Sequence, residues 1–140
     1  MATKLPSSHQ VAVAQIWELA NELAYDVQVN YPNAPGPDLR IVNPKTKRQA
    51  LVEVEVTFQQ QKSHQRKYKK RHDELNAETE SGREAVLLVI GAKRRDLVAL
   101  LKRAGVANAE SEYGTRIFNA VSSRDQGEIR AVLLRCLGGA

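Results

Sequence analysis

Residues 37–55, PDLRIVNPKTKRQALVEVE, hold the pattern on which the fold turns. Asp38–Val42 reads as a short strand. Asn43-Pro44-Lys45-Thr46-Lys47 has the composition of a hairpin turn. Ala50–Phe58 alternates, with Val52, Val54, Val56 and Phe58 on one face and Glu53, Glu55 and Thr57 on the other. If the two strands pair through the turn, Asp38 lies beside the Glu53–Glu55 face. Carboxylates sharing one face of a sheet repel each other and resist burial. A Mg²⁺ ion, which takes oxygen ligands from one or two carboxylates plus substrate phosphate, removes that penalty. The plainer alternative is an amphipathic strand with its acids on a wet outer face.

Working outward, residues 9–25 fit a helix. Its stripe is Val13, Trp17, Ala20 and Ala24, widened by Ile16 and Leu23, which makes Trp17 a core residue. Asp26–Asn30 alternates as a strand, and Tyr31–Pro37, with three prolines and a glycine, is a loop. Gln59–Glu80 reads as a long polar helix ended by Ser81-Gly82. Ala85–Ile90 is a continuous apolar run, typical of a strand covered on both faces. Lys93–Ala104 is helical with Gly105 as cap, Thr115–Val121 is a strand and Gln126–Leu137 a last helix. The order α-β-β-β-α-β-α-β-α predicts an α/β fold, a mixed central sheet flanked by helices. Residues 1–8 are expected to form a flexible arm and residues 9–140 a single domain.

The chain has 140 residues and a formal net charge of +5, which favours a polyanionic partner. Cys136, the only cysteine, excludes an internal disulfide and a CxxC metal site, and its place on an apolar helix suggests buried packing. Met1–Gln10 lacks the apolar core of a signal peptide, and no run approaches a membrane span, so a cytoplasmic protein without a membrane partner is expected. Aromatic content of 5% argues against a single-strand binder built on stacked bases.

Lys62–His72 carries six Lys or Arg and no acid. Lys62, Arg66, Lys69 and Lys70 form one stripe, widened by Lys67 and Arg71. The plain alternative is a solvated helix face, but six like charges on one helix repel unless an anion offsets them, which favours contact with a nucleic-acid backbone. A neighbouring stripe, Gln61, Gln65, Tyr68, His72 and Leu75, would pack on the sheet and bring Gln61 and Gln65 near the carboxylates. His64 and His72 have no Cys or carboxylate at a ligand spacing. Lys93-Arg94-Arg95, Arg124, Arg130 and the hairpin residues Lys45, Lys47 and Arg48 are lesser candidates for phosphate contact.

Pro37-Asp38, Glu53 and the order αβββαβ over residues 9–91 resemble the PD-(D/E)XK, or restriction-endonuclease-like, nuclease superfamily, whose lysine position is here occupied by Glu55. The resemblance implies a Mg²⁺-dependent deoxyribonuclease, with Mn²⁺ able to substitute. Asp38 and Glu53 would hold the metal, and Glu55 would support metal or water. Gln61 or Lys62 would orient substrate or water, with Lys62 supplying the missing positive charge. A first-helix glutamate, Glu18 or Glu22, would join the metal site, Glu22 lying closer in sequence to the loop before Asp38. One small domain leaves little room for sequence recognition, so cutting would be structure-specific, as in Holliday-junction resolvases of similar size and fold. Cutting both strands would require a homodimer. The rival class is a non-catalytic DNA-binding module on the same fold.

Overall fold

The computed structural model describes residues 7–30 and 35–138. Its elements are α1 (Ser8–Glu22), β1 (Asp26–Val29), β2 (Leu39–Val42), β3 (Gln49–Val54), α2 (Lys62–Glu80), β4 (Ala85–Ile90), α3 (Arg94–Arg103), α4 (Ala109–Glu112), β5 (Ile117–Ala120) and α5 (Gln126–Leu137). Leu87 to Ile90 are fully buried on alternating faces, which is why β4 carries no polar residue. The sheet runs β1-β2-β3-β4-β5. Its first two pairings are antiparallel and its last two parallel, so the expected mixed α/β sheet with helices on both faces is what forms.

Side-chain alternation divides the core in two. Leu39, Ile41, Ala50, Val52 and Val54 face α1 and α5, packing on residues such as Ile16, Ala20, Ile129 and Leu133. Leu51, Leu87 and Val89 face α2 and α3, packing on Tyr68, Leu75, Leu97 and Leu101. Period 2 along β3 therefore puts Glu53 on the same side as Leu51, under α2. No helix among the described residues is long and apolar enough to cross a membrane.

Several sequence expectations shift. Ser8 opens α1 and Ser7 caps it, so neither belongs to an arm: Ser7 Oγ accepts from the Gln10 N–H at 3.1 Å and Gln10 Oε1 accepts from the Ser7 N–H at 2.9 Å, a capping box. Residues 1–6 of that expected arm lie outside the described residues, as do residues 31–34 of the proline-rich loop. The buried face of α1 is Ala12, Val13, Ile16, Leu19 and Ala20, centred on Ile16, which leaves Trp17 44% exposed and not in the core. The short helix α4 carries no amphipathic period and went unforeseen. Cys136 is buried as expected, and burial pushes its thiol up to about 12.

β3 stops at Val54 and does not run on to Phe58. Its antiparallel partner begins at Leu39, opposite Val52, and its parallel partner ends at Ile90, opposite Val54. After a last bond from the Glu55 N–H to Ile90 O at 2.7 Å there is nothing left to pair with. The chain turns toward α2, which starts at Lys62 and not at Gln59, and Phe58 crosses to the other cluster to meet Tyr68 edge-on at 5.9 Å.

Gly91 makes that turn possible. It sits at φ +103°, and a Cβ there would lie 1.8 Å from Glu55 O. Gly82 has a similar φ of +81° with nothing within 4 Å. Substituting either costs roughly 1–3 kcal/mol for the left-handed backbone, but only Gly91→Ala adds a clash with main chain. Thermal unfolding is expected to show Gly91→Ala lowering Tm by at least ~5 °C more than Gly82→Ala. Equal losses would mean that β4 and Glu55 separate freely.

Candidate functional site

The β2–β3 register, Leu39 opposite Val52, brings Asp38 alongside Glu53 when continued by one step. Asp38 Oδ2 accepts the Val54 N–H at 2.8 Å, so the side chain replaces a main-chain acceptor where β2 has not yet begun. Asp38, Glu53 and Glu55 thus gather at the end of β3 that meets β2's start, which is also the carboxyl end of the parallel strands, where α/β sheets leave room for ligands.

The acids are not on a wet face. Glu53 is 1% exposed and Glu55 7%, because α2 lies over them. A buried carboxylate needs donors, and α2 supplies them from one stripe at i, i+3, i+4 and i+7: His64, Lys67, Tyr68 and Arg71. The Arg71 Nε–H donates to Glu53 Oε1, and Lys67 Nζ lies 3.2 Å from Glu53 Oε2 and 2.8 Å from Glu55 Oε1. The Tyr68 hydroxyl donates to Glu55 Oε1 at 2.8 Å, and His64 Nε2 is 3.5 Å from Glu55 Oε2. Arg71 also bonds Gly36 O and, at 2.9 Å, Glu74 Oε1, tying the segment ahead of Asp38 to the helix.

Burial dominates the electrostatics. It pushes the Glu53 carboxyl up to about 7; Lys67 pulls it down, Asp38 adds to the rise, and Arg71 pulls down again. Burial also opposes charge on Lys67, but Glu53, Glu55 and Asp38 outweigh it and hold the ammonium above its ordinary pKa. Burial, then the charges of Glu55 and Glu53, push the Tyr68 phenol well above its usual value, so it remains a proton donor to Glu55.

The other candidates fall elsewhere. Gln61 is the exposed residue preceding α2, and Gln65 bonds Gln60 O at 3.4 Å, so the glutamines do not reach the acids. Lys62 lines a groove with Arg66, Lys69, Lys70 and Arg103, on another face of α2; Lys67 takes the place beside the carboxylates that the sequence assigned to Lys62. Lys67 and Arg71, read as backbone contacts, turn inward to the acids, while Lys69 pairs with Asp73 at 2.8 Å. Glu22 is exposed at the far end of α1 and lies 3.5 Å from Arg130, and Glu18 is likewise exposed. The first turn of α1 reaches the site: His9 Nε2 lies 3.2 Å from Asp38 Oδ2. His64 and His72 do find carboxylates, His72 Nε2 meeting Glu112 Oε2 at 2.7 Å.

No group of three or more His, Cys, Asp or Glu among the described residues forms a ready metal cage. A Mg²⁺ site does not require one, since that ion uses one or two carboxylates and completes its shell with water and phosphate. Asp38 and Glu53 fit that donor class. The charge of Asp38 adds to the rise of the Glu53 pKa, and a carboxylate has about four lone-pair sites, more than the single contact each Glu53 oxygen makes here. No family model, curated protein or solved structure matches the chain.

Burial raises the Glu53 carboxyl from its ordinary 4.5 to about 7 in the fold. The native state therefore holds this proton more tightly. The stability it contributes is full below the unfolded value and is lost as pH rises through the folded one. Unfolding temperatures measured at about pH 4.5, 6 and 8 should decline less in Glu53→Gln than in wild type. Parallel curves would place the pH dependence on other groups.

Proposed function

We propose that this chain is a metal-dependent deoxyribonuclease of the restriction-endonuclease-like kind, with Asp38, Glu53 and Lys67 as its working residues. The observation that carries the reading is their convergence at one end of the β2–β3 pair, within an α-β-β-β-α-β order, with a lysine 3.2 Å from Glu53. Glu55 stands where the family has its lysine, and Lys67, reaching in from the following helix, restores the positive charge beside the carboxylates. Asp38 and Glu53 would hold Mg²⁺, or Mn²⁺ in its place, which would polarise the phosphoryl group and stabilise the leaving oxygen. Lys67 faces charge developing on the phosphate and orients the attacking water. Glu55, engaged by Lys67, Tyr68 and His64, fixes the ammonium in position. The exposed cations of α2 attract the DNA backbone. Structure-specific cutting suits so small a domain, and cutting two strands calls for a second copy.

A second reading has its own support. Both Glu53 oxygens are already met by Arg71 and Lys67, as a purely structural ion cluster requires, so a non-catalytic DNA-binding module on this fold accounts for the same contacts.

Incubation with supercoiled, linear and four-way-junction DNA, with Mg²⁺, Mn²⁺ or chelator, separates the two. Metal-dependent cutting is expected, falling at least ~10²-fold in Asp38→Asn, Glu53→Gln and Lys67→Ala and far less in Lys62→Ala, which removes a single backbone contact. Cutting that survives Asp38→Asn and Glu53→Gln would sink the site assignment. Salt-dependent binding without any cutting would establish the module.

A further inference from the structure

The cations of α2 divide between two faces. At 100° per residue, the His64, Lys67, Tyr68 and Arg71 row and the Lys62, Arg66, Lys69 and Lys70 row point about 165° apart. The first row is spent on Glu53 and Glu55. The second opens into a groove of about 420 Å³ between α2 and α3, closed on its far side by Arg103 and Ala104. Arg103, which the sequence did not single out, is held there by a hydrogen bond to Gln60 Oε1.

The charge of this groove is uncompensated. Lys69 has Asp73, and on α3 both Arg94 and Lys102 share Glu110, but Lys62, Arg66, Lys70 and Arg103 have no acidic partner among the described residues. Four bare cations in one groove repel one another, and a line of phosphates relieves that repulsion. From Lys62 to Lys70 the helix rises ~12 Å, the axial rise of about three phosphates of one DNA strand. An acidic peptide could satisfy the charge, but a regular row of cations along one helix fits an evenly charged backbone better.

We propose that the α2–α3 groove, with Lys62, Arg66, Lys70 and Arg103 as its contacts, is a binding surface for a nucleic-acid backbone, separate from the carboxylate cluster. It rests on the reading of nucleic acid as partner but not on hydrolysis. A backbone seated in the groove lies across α2 from Glu53. The phosphate presented to the carboxylates therefore belongs to another part of the nucleic acid, which has to bend or branch around the helix.

The test uses the full chain and a fluorescein-labelled 20-bp duplex without divalent metal, reading affinity against salt by anisotropy. Four neutralised phosphates give a log–log slope of about −3.6, and each Arg or Lys removed reduces it by about 1. The variant Arg66→Ala/Lys70→Ala/Arg103→Ala is expected to lose about three units of slope. These side chains are exposed, so its Tm should stay near wild type. Arg83→Ala/Arg135→Ala, two exposed cations elsewhere, should lose less than one, and Asp38→Asn and Glu53→Gln should keep the wild-type slope. Three results would each overturn the proposal: no salt-dependent binding by wild type, an unchanged slope in the groove variant, or an equal loss in the Arg83/Arg135 control. A chain that binds through the groove yet never cuts would overturn hydrolysis and leave the groove standing. One that cuts with a slope indifferent to Arg66, Lys70 and Arg103 would do the reverse.

Discussion

The burial of Glu53 is the constraint around which this end of the molecule is arranged. An acid that is 1% exposed between a sheet and a helix must be neutralised or paired, at a cost of several kcal/mol otherwise. Much of what surrounds it answers that demand. Arg71 and Lys67 supply charge, Tyr68 and His64 hold the second acid beside it, and Arg71 reaches on to Gly36 to fix the segment leading into Asp38. Hydrophobic replacement of such a cluster often stabilises a protein. Three acids and two bases in a place where Leu and Val would pack more cheaply are therefore better explained by chemistry or recognition than by stability alone.

The architecture was readable because each element carried its own periodicity. The apolar run Ala85–Ile90 could only be a covered strand, and the register of Asp38 against Glu53 followed from pairing across the Asn43–Lys47 turn. The end of β3 was not readable. Its alternation continues to Phe58, and what stops it is the length of its neighbours. The α2 partners of the carboxylates were missed by about 70° of helix rotation. Tyr68 and Leu75 anchor the helix either way, and only its crossing of the sheet decides whether the row containing Gln65 or the row containing Lys67 lies over Glu53. The row His64, Lys67, Tyr68, Arg71 was nonetheless visible as a complement to two strand acids.

His9 could have been found. A helix joined to the next strand by a three-residue turn runs antiparallel to it, so the start of α1 lies near the end of β1 and hence near the start of β2, where Asp38 is. A glutamate at the far end of α1 was the wrong end to search. Equally, the six cations of Lys62–His72 looked unopposed because their acids are distant in sequence. Two of the six are answered by β3 and Lys69 by Asp73, and Lys62, Arg66 and Lys70 remain as the charge that distinguishes the outer face.

Asp38 has a second occupation. Its Oδ2 takes the N–H of Val54, a donor that a longer β2 would have satisfied with a peptide carbonyl. The side chain is the last rung of the β2–β3 ladder, and the same group opens the site. The end of the β2–β3 ladder and the mouth of the candidate site are therefore one object. A residue unable to accept that hydrogen bond would fray the end of that ladder as well as remove the acid, so in this protein the first carboxylate cannot drift without the sheet registering its loss.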